Sequence, residues 1–165
     1  MKSILGICGA PSGRSSKSFE LLERALAGAR EQGVITGREV LAEGEFSITT
    51  IQKKIRNADG LIIATPTHWF NVSILTKRLI DEVFWDFSDT PFELEGMPLG
   101  IIANCDEDGA NQAIASIAMP LNHCGLFVPP FGTLIHNTSM PGHGENGWQN
   151  DAEYIGKQIA KYVLK

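Results

Sequence analysis

Short apolar runs of strand length alternate along this chain with longer segments in which apolar residues recur every three or four positions. The short runs predict β-strands that are buried on both faces, and the longer segments predict amphipathic helices. Glycine, proline and acidic residues follow most of the short runs and predict the turns between elements. Strands are predicted at residues 2–8, 34–41, 60–65 and 98–104, with a fifth at 126–128 and 132–135 that two prolines interrupt.

Five helices are predicted between and after these strands. In the first, Phe19, Leu22, Leu26 and Ala29 form one apolar stripe, and Gly33 ends the helix. Strands that alternate with helices form βαβ units, whose right-handed crossovers give a parallel sheet with helices on both faces. We therefore predict one α/β domain over residues 1–165, with a doubly wound five-stranded parallel sheet of order 2-1-3-4-5. The helices are predicted at residues 16–32, 48–58, 72–86, 110–124 and 151–164.

The loop after the first strand has the composition of a phosphate-binding loop. In such a sheet, ligands bind beyond the carboxyl ends of the strands where strand order reverses, here between strands 1 and 3. Glycines, hydroxyls and the start of a helix suit a phosphate. The loop matches neither G-x-x-x-x-G-K-[ST] nor G-x-G-x-x-G, which disfavours a nucleoside triphosphate or a Rossmann-type dinucleotide. A plain serine N-cap is the alternative interpretation. The candidate phosphate ligands are Ser12, Arg14, Ser15, Ser16 and Ser18.

The loop after the third strand places two adjacent aromatic residues and a histidine at the end of a buried strand. An exposed aromatic pair usually marks a binding surface, and flat side chains with turn amides suit a planar heteroaromatic ring. The alternative is that the aromatic pair packs on the third helix or forms a subunit contact. A lone loop histidine is more often exposed than catalytic. The candidates here are Pro66, Thr67, His68, Trp69, Phe70 and Asn71.

The loop after the fourth strand adds Asp106 and Gly109 as candidates. Acidic residues before a helix are ordinary complements of its dipole, whereas the glycine would allow backbone amides to face a ligand edge. The later loop 137–149 reaches the same sheet edge and could cap a ligand. His136 and His143 invite a metal interpretation, which we discount because nothing places them on one face.

Composition and charge narrow the function further. The 165 residues include 14 basic and 19 acidic side chains, a net charge of −5, so nucleic acid is not an expected partner. The apolar runs are far shorter than the ~20 residues of a membrane span, and no signal peptide is visible, which predicts a cytoplasmic protein with no membrane partner. Three widely spaced cysteines in apolar sequence, Cys8, Cys105 and Cys124, predict buried free thiols.

Three stretches carry a resemblance to a known family. They read ILGICGAPS at 4–12, DGLIIATPT at 59–67, which continues to Lys77 and Asp81, and LEGMP at 94–98. With these stretches the chain resembles, over nearly its whole length, the flavodoxin-like flavoproteins of the NAD(P)H-dependent FMN reductase and iron–sulfur flavoprotein group.

Two departures from that family limit the resemblance. Ala10 stands where the family most often has serine, which removes one phosphate donor. The cysteine cluster of the iron–sulfur members is missing between Leu41 and Ile48, so no iron–sulfur cluster is expected. The same region is short, and the subunit contacts of those members need not apply.

The resemblance implies bound FMN, with its phosphate on the serine-rich loop and its ring against the aromatic loop. It also implies that NAD(P)H reduces the flavin, that electrons pass to a small-molecule acceptor such as free flavin or a quinone, and that the protein is a homo-oligomer, a dimer or a tetramer. No catalytic side chain is then required, because the flavin carries the chemistry. Two alternatives stay open: a flavodoxin-type electron carrier without nicotinamide turnover, and a non-enzymatic binding domain for a phosphorylated ligand.

Overall fold

The computed structural model describes residues 1–89, 93–142 and 146–165. Its strands are β1 (Ser3–Cys8), β2 (Ile35–Val40), β3 (Gly60–His68), β4 (Asn71–Val72), β5 (Leu99–Cys105) and β6 (Thr133–Asn137). Its helices are α1 (Lys17–Glu31), α2 (Ile48–Arg56), α3 (Ile74–Arg78), α4 (Trp85–Ser88), α5 (Ala110–His123) and α6 (Gly147–Val163). A 3₁₀ turn (Gly13–Ser15) precedes α1, and a π-helical segment (Leu79–Val83) joins α3 to α4.

The sheet has the predicted topology. Its five long strands are parallel and lie in the order β2-β1-β3-β5-β6, which is order 2-1-3-4-5 when only these strands are numbered. The two-residue strand β4 is additional and pairs with the end of β3 in antiparallel fashion. Strand order reverses between β1 and β3, so the predicted doubly wound sheet is confirmed and its ligand-binding edge is defined.

Helices cover both faces of the sheet because side chains alternate along each buried strand. Ile62 and Ala64 of β3 pack on the face covered by α1 and α6, whereas Leu61 and Ile63 pack on the opposite face. That second face is covered by α2, α5 and the segment from α3 to α4. In the described parts of the chain, no helix is long and apolar enough to span a membrane.

Two glycines let α1 and α6 approach each other closely on the face of the sheet that carries Ile62 and Ala64. A Cβ atom on Gly28 would lie 2.1 Å from the backbone oxygen of Glu153, and one on Gly156 would lie 1.7 Å from that of Ala25. The approach buries the apolar face of α1 against both α6 and the sheet. This packing fixes the position of α1, whose first turn follows the phosphate-loop candidate.

The third strand is longer than the sequence indicated. The prediction that Pro66 ends it at residue 65 is wrong, because β3 continues to His68. Pairing with β1 stops at Ala64, which leaves one side of the strand free, and proline is tolerated at such an edge. The antiparallel partner β4 then pairs with Thr67 and His68.

Three other boundaries also differ. The helix predicted at 72–86 is divided, because Phe84 N–H donates to the carbonyl of Leu79, five residues earlier, at 3.2 Å. The spacing of four residues between Leu79 and Val83 exceeds the 3.6 residues per turn of an α-helix, which suits this wider turn. The last strand begins at Thr133 and leaves Phe127 with a single bridge, and α6 begins at Gly147, earlier than the predicted 151.

Candidate functional site

Three loops meet at the carboxyl edge of the sheet. They follow β1, β3 and β5, which are neighbouring parallel strands. The last pairs of their ladders are Cys8 with Ala64 and Pro66 with Asn104. The three loops that carry all thirteen candidate residues therefore lie side by side, at the point where strand order reverses.

The serine-rich loop after β1, residues 9–18, is called the phosphate loop below. Ser16 is the N-cap of α1, since its Oγ accepts from Phe19 N–H at 3.0 Å and donates to the carbonyl of Gly13 at 2.6 Å. Ser15 Oγ donates to the carbonyl of Ser12 at 2.8 Å, and Ser12 itself is exposed without a capping bond. The N-cap interpretation is thus correct for Ser16, and its role toward a phosphate stays a prediction.

The cations of the phosphate loop are already paired with carboxylates. Arg14 Nε donates to both carboxylate oxygens of Glu43 at 2.8 and 3.0 Å, and this hydrogen bond raises the pKa of the guanidinium. Lys17 Nζ lies 2.6 Å from Glu20 and 4.1 Å from the ring centroid of Trp148. A phosphate here would therefore depend chiefly on backbone N–H groups and hydroxyls rather than on a free cation.

Two hydroxyls at this edge are buried without a partner. Among the side chains that the structure describes, Ser18 Oγ and Thr67 Oγ1 are the buried polar atoms that make no hydrogen bond. Ser18 is in the first turn of α1, and Thr67 is near the end of β3. A buried unpaired polar group costs about 1–3 kcal/mol, so each site is suited to a ligand that supplies the missing partner.

The loop after β3 is a tight hairpin turn, residues 68–71, called the aromatic turn below. Its two central residues, Trp69 and Phe70, have φ angles of 47° and 60°. A two-residue hairpin loop with two positive φ angles has type I′ geometry, which strongly prefers Asn-Gly. Bulky residues are strained in this region at a cost of about 1–3 kcal/mol each, and such strain clusters at ligand clamps.

The aromatic turn also exposes its side chains. Trp69 is 96% and Phe70 is 55% exposed, so the alternative that both pack on the third helix is wrong. His68 and Asn71 are exposed as well, and Asn71 Oδ1 accepts from Val72 N–H at 2.8 Å. The turn thus presents a flat apolar surface beside the buried Thr67 hydroxyl.

The loop after β5 packs against the aromatic turn. Gly109 has a φ of 90°, and a Cβ atom there would lie 2.7 Å from Phe70 Cα. Its N–H donates to Asp108 Oδ1 at 2.7 Å, and the expectation that backbone amides near Gly109 face a ligand stays a prediction. The glycine is needed for close approach to the aromatic turn.

A cavity of about 370 Å³ lies between the aromatic turn and the loop after β5. It is lined by Thr67, Trp69, Phe70, Asp106, Glu107 and Asp108.

The loop after β6 reaches the same edge. Asn137 Nδ2 donates to the carbonyl of Glu107 at 2.7 Å, and Ser139 Oγ donates to that of Asp106 at 3.3 Å. His136 is buried, and its Nδ1–H donates to Asn104 Oδ1 at 2.6 Å. His143, the second histidine of the discounted metal interpretation, lies outside the described residues, as does part of the loop 137–149 that was expected to cap a ligand.

The three cysteines are free and buried, as predicted. Burial raises the pKa of Cys8 and Cys105, which lie at the ends of β1 and β5 next to the candidate site. Cys8 Sγ lies 3.9 Å from Ser16 Oγ below the phosphate loop. Raised pKa values keep these thiols protonated, so they serve as packing groups here rather than as nucleophiles.

Sequence reasoning missed the ion pairs that neutralise the phosphate loop. Glu43 is 29 residues from Arg14, and no spacing rule connects them. Lys17 lies inside the loop and has a positive charge, but nothing in the sequence indicated its contact with Trp148. Both contacts arise from the tertiary fold alone.

A family model described as the flavodoxin-like fold matches residues 2–116. The matched range includes the phosphate loop, the aromatic turn and the loop that contains Asp106 and Gly109. No curated protein matches the sequence at a significant level.

Solved structures show the same fold. A flavone reductase superposes with a TM-score of 0.83 at 18% identity, over 99% of this chain and 63% of that one. An NADH:FMN oxidoreductase in its apo form gives a TM-score of 0.74 at 21% identity, over 99% and 89% of the two chains. A flavodoxin from the domain Archaea gives a TM-score of 0.72 at 14% identity and is covered, like this chain, over 100% of its length.

Proposed function

This chain belongs to the family with the flavodoxin-like fold, and on that premise we propose that it is an FMN-binding oxidoreductase. NAD(P)H is its proposed reductant, and a small molecule such as free flavin or a quinone is its proposed electron acceptor. The flavin phosphate would be held by the phosphate loop, and the ring by the aromatic turn and the neighbouring loop after β5.

The two unpartnered buried hydroxyls carry this proposal. Ser18 Oγ is in the first turn of α1 and Thr67 Oγ1 is near the end of β3, and no residue that the structure describes gives either of them a hydrogen bond. A phosphate at the start of α1 supplies an acceptor for Ser18, and the polar edge of a flavin supplies a partner for Thr67. One ligand with a phosphate at one end and a polar heteroaromatic ring at the other fits both needs.

Each part of the site has a separate task. The phosphate loop binds through Ser12, Ser18 and the backbone N–H groups at the start of α1, whose dipole favours an anion. The Trp69 and Phe70 side chains would cover one flat face of the flavin ring and shield it from water. The Asp106 loop forms the opposite wall of the cavity. When bound, FMN supplies the hydride and electron transfer chemistry.

The reductase activity is supported by the names of similar proteins, among them a flavone reductase and an NADH:FMN oxidoreductase. The aromatic turn is open to solvent at Trp69, so a second flat molecule would be able to approach it from solution. A nicotinamide and an acceptor would use that position in turn. We propose no catalytic side chain for the chain itself.

The first test is the flavin content and reactivity of the purified protein. We expect a flavin absorption spectrum after incubation with FMN, and rapid anaerobic bleaching of the visible band by NADH or NADPH. A protein that takes up no FMN would refute the proposal. Ser18→Ala and Thr67→Val should weaken FMN binding without loss of apo stability, because each removes an unpaired hydroxyl. Ser88→Ala, whose hydroxyl bonds within α4, is the matched control.

A flavodoxin-type electron carrier is the second candidate. The similarity of its fold to that of an archaeal flavodoxin supports this candidate. The bleaching experiment separates the two functions, because a carrier binds FMN but is not reduced by a nicotinamide at a useful rate. A non-enzymatic domain for another phosphorylated ligand would show neither property.

We also propose that the protein is a homo-oligomer, a dimer or a tetramer. Trp85 is 67% exposed beside a cavity of about 410 Å³ between α4 and α5, and Met119 on α5 is 74% exposed. Apolar surface of this kind often marks a protein contact. Light scattering of the purified protein gives the mass, and a monomer at all concentrations would contradict the proposal.

A further inference from the structure

Three buried hydroxyl residues lie between the phosphate loop and the aromatic turn. Thr65 is in β3, three residues before its end, Ser73 is the N-cap of α3, and Thr76 is in the first turn of that helix. All three are 0% exposed, in a region that is otherwise apolar. None of them was a candidate from the sequence.

Each of these hydroxyls has a hydrogen-bond acceptor for its proton. Ser73 Oγ donates to the carbonyl of Gly9, Thr76 Oγ1 donates to Thr65 Oγ1 at 2.9 Å, and Thr65 Oγ1 donates to the carbonyl of Pro66 at 3.0 Å. Ser73 Oγ and Thr76 Oγ1 lie 3.1 Å apart. Ser73 Oγ also accepts from Thr76 N–H at 3.2 Å, and Thr65 Oγ1 from Ser73 N–H at 3.3 Å.

The backbone carbonyl groups that accept at the two ends of this cluster belong to Gly9 and Pro66. Gly9 begins the phosphate loop, and Pro66 is two residues before the aromatic turn. The contact at Gly9 is tight, because a Cβ atom there would lie 1.9 Å from Thr76 Oγ1. The hydroxyl cluster therefore connects the start of the phosphate loop, through the start of α3, with the part of β3 that leads into the aromatic turn.

We propose that Thr65, Ser73 and Thr76 are positioning residues that fix the separation between the phosphate loop and the aromatic turn. This inference rests on the proposed function, since it assigns these residues to a ligand that spans both loops. A fully satisfied buried network is rigid, and removing the Thr76 hydroxyl takes one hydrogen bond from Thr65 and the 3.1 Å contact from Ser73. The loops would then settle at a changed separation, and a ligand anchored at both ends would lose affinity.

The test compares FMN with riboflavin, which has the same ring and no phosphate. Thr76→Val removes the central hydroxyl at similar volume. We expect it to weaken FMN binding about tenfold, the size expected for one lost buried hydrogen bond, and to leave riboflavin binding nearly unchanged. Thr76→Ser keeps the hydroxyl and should restore most of the preference for FMN. Affinities are measured by quenching of flavin fluorescence.

A matched control separates positioning from stability. Gln52 is also buried, and its Nε2 donates to the carbonyl of Val83 at 3.1 Å and to Asp86 at 2.7 Å. Gln52→Leu should lower the unfolding free energy of the apoprotein without a change in the ratio of FMN to riboflavin affinity. If Thr76→Val is too unstable to purify, Thr65→Val removes the hydroxyl at the Pro66 end and should give the same fall in that ratio.

Three results decide the matter. A fall in the ratio for Thr76→Val or Thr65→Val, with restoration by Thr76→Ser, supports positioning. An unchanged ratio of FMN to riboflavin affinity in both valine variants, or an equal fall of that ratio in Gln52→Leu, overturns the positioning role. The proposed function still stands in that case, provided that the wild type binds FMN. A wild type that binds no FMN refutes the proposed function instead, and the inference with it.

Discussion

The phosphate loop and the aromatic turn lie on neighbouring strands and are built in opposite ways. In the phosphate loop, Ser15 and Ser16 bond to the loop's own carbonyls, and Arg14 is paired with Glu43. The aromatic turn instead holds Trp69 and Phe70 at positive φ angles and exposes both. Most hydrogen-bonding groups named in the phosphate loop have partners without a ligand, whereas the aromatic turn is strained and exposed to solvent.

This difference suggests two distinct contributions to binding. A loop whose hydrogen bonds are already made is preorganised, and its ligand loses little free energy in ordering it. A strained turn of aromatic residues has a stability cost in the free protein and gains contact area only when a ring packs on it. Variants should therefore affect stability and affinity in opposite directions at the turn, and affinity alone at the phosphate loop.

The largest effect is expected where the strain of the aromatic turn is removed. Trp69→Asn with Phe70→Gly installs the pair that a type I′ turn prefers. The unfolding free energy of the apoprotein should rise by about 1–3 kcal/mol, while FMN affinity falls about tenfold to a hundredfold because the stacking surface is lost. Denaturant unfolding and FMN titration measure the two changes. Wild-type affinity in this variant would contradict the role of the aromatic turn.

A smaller effect is expected when the support beneath the turn is changed. Gly109→Ala places a Cβ atom 2.7 Å from Phe70 Cα at a φ of 90°. Stability should fall by about 1–2 kcal/mol, and FMN affinity should fall several-fold because the turn is displaced. Gly96 has a φ of 76° with nothing within 4 Å of its Cβ position, so Gly96→Ala is the control. It should lose stability alone, and equal affinity losses in both variants would count against the mechanism.

Releasing the Arg14 guanidinium of the phosphate loop from its carboxylate should raise FMN affinity modestly, whereas the two changes above lower it. Glu43→Gln removes the carboxylate that holds Arg14 and leaves the guanidinium available to an anion. FMN affinity should rise a few-fold at low salt, riboflavin affinity should not change, and added salt should reduce the gain. Isothermal titration at two salt concentrations checks this. A loss of FMN affinity would show that the Arg14–Glu43 pair itself shapes the loop.

The smallest expected effect concerns pH. Burial, and then the charge of Lys17, lower the pKa of His136 below its ordinary value of 6.5. A lowered folded-state pKa means that the unfolded chain binds the proton more readily. The contribution of His136 to stability is therefore complete above the unfolded-state pKa and is lost as the pH falls through the lowered folded-state pKa. Unfolding free energies at about pH 7 and about pH 5 should differ less in His136→Gln than in wild type. An equal difference in His136→Gln and wild type would contradict this assignment.

Much of the fold was readable from periodicity. The stripe that includes Leu22 and Leu26 predicts α1, and the structure begins and ends that helix within one residue of the prediction. Apolar runs of strand length gave the order of the five long strands, because connection handedness restricts the alternatives. The three loops of the site followed from that order and from their composition.

The rest depends on tertiary structure. Trp-Phe is not a turn sequence, so neither the type I′ turn nor the short strand β4 was visible. The four-residue spacing around the π-helical segment at Leu79–Val83 is also common in an α-helix, so it did not separate the two kinds of helix in the sequence. The pairing of Arg14 with Glu43 and the unpartnered Ser18 hydroxyl depend on where distant segments fold, which no local pattern encodes.

The central claim is that one ligand bridges the two contrasting loops, and the most direct test is a titration of the apoprotein with FMN and with riboflavin. We predict one FMN bound per chain, at least about tenfold more tightly than riboflavin, because the phosphate adds charge-assisted hydrogen bonds at the start of α1. Equal affinities for the two flavins, or no binding of either, would contradict the account.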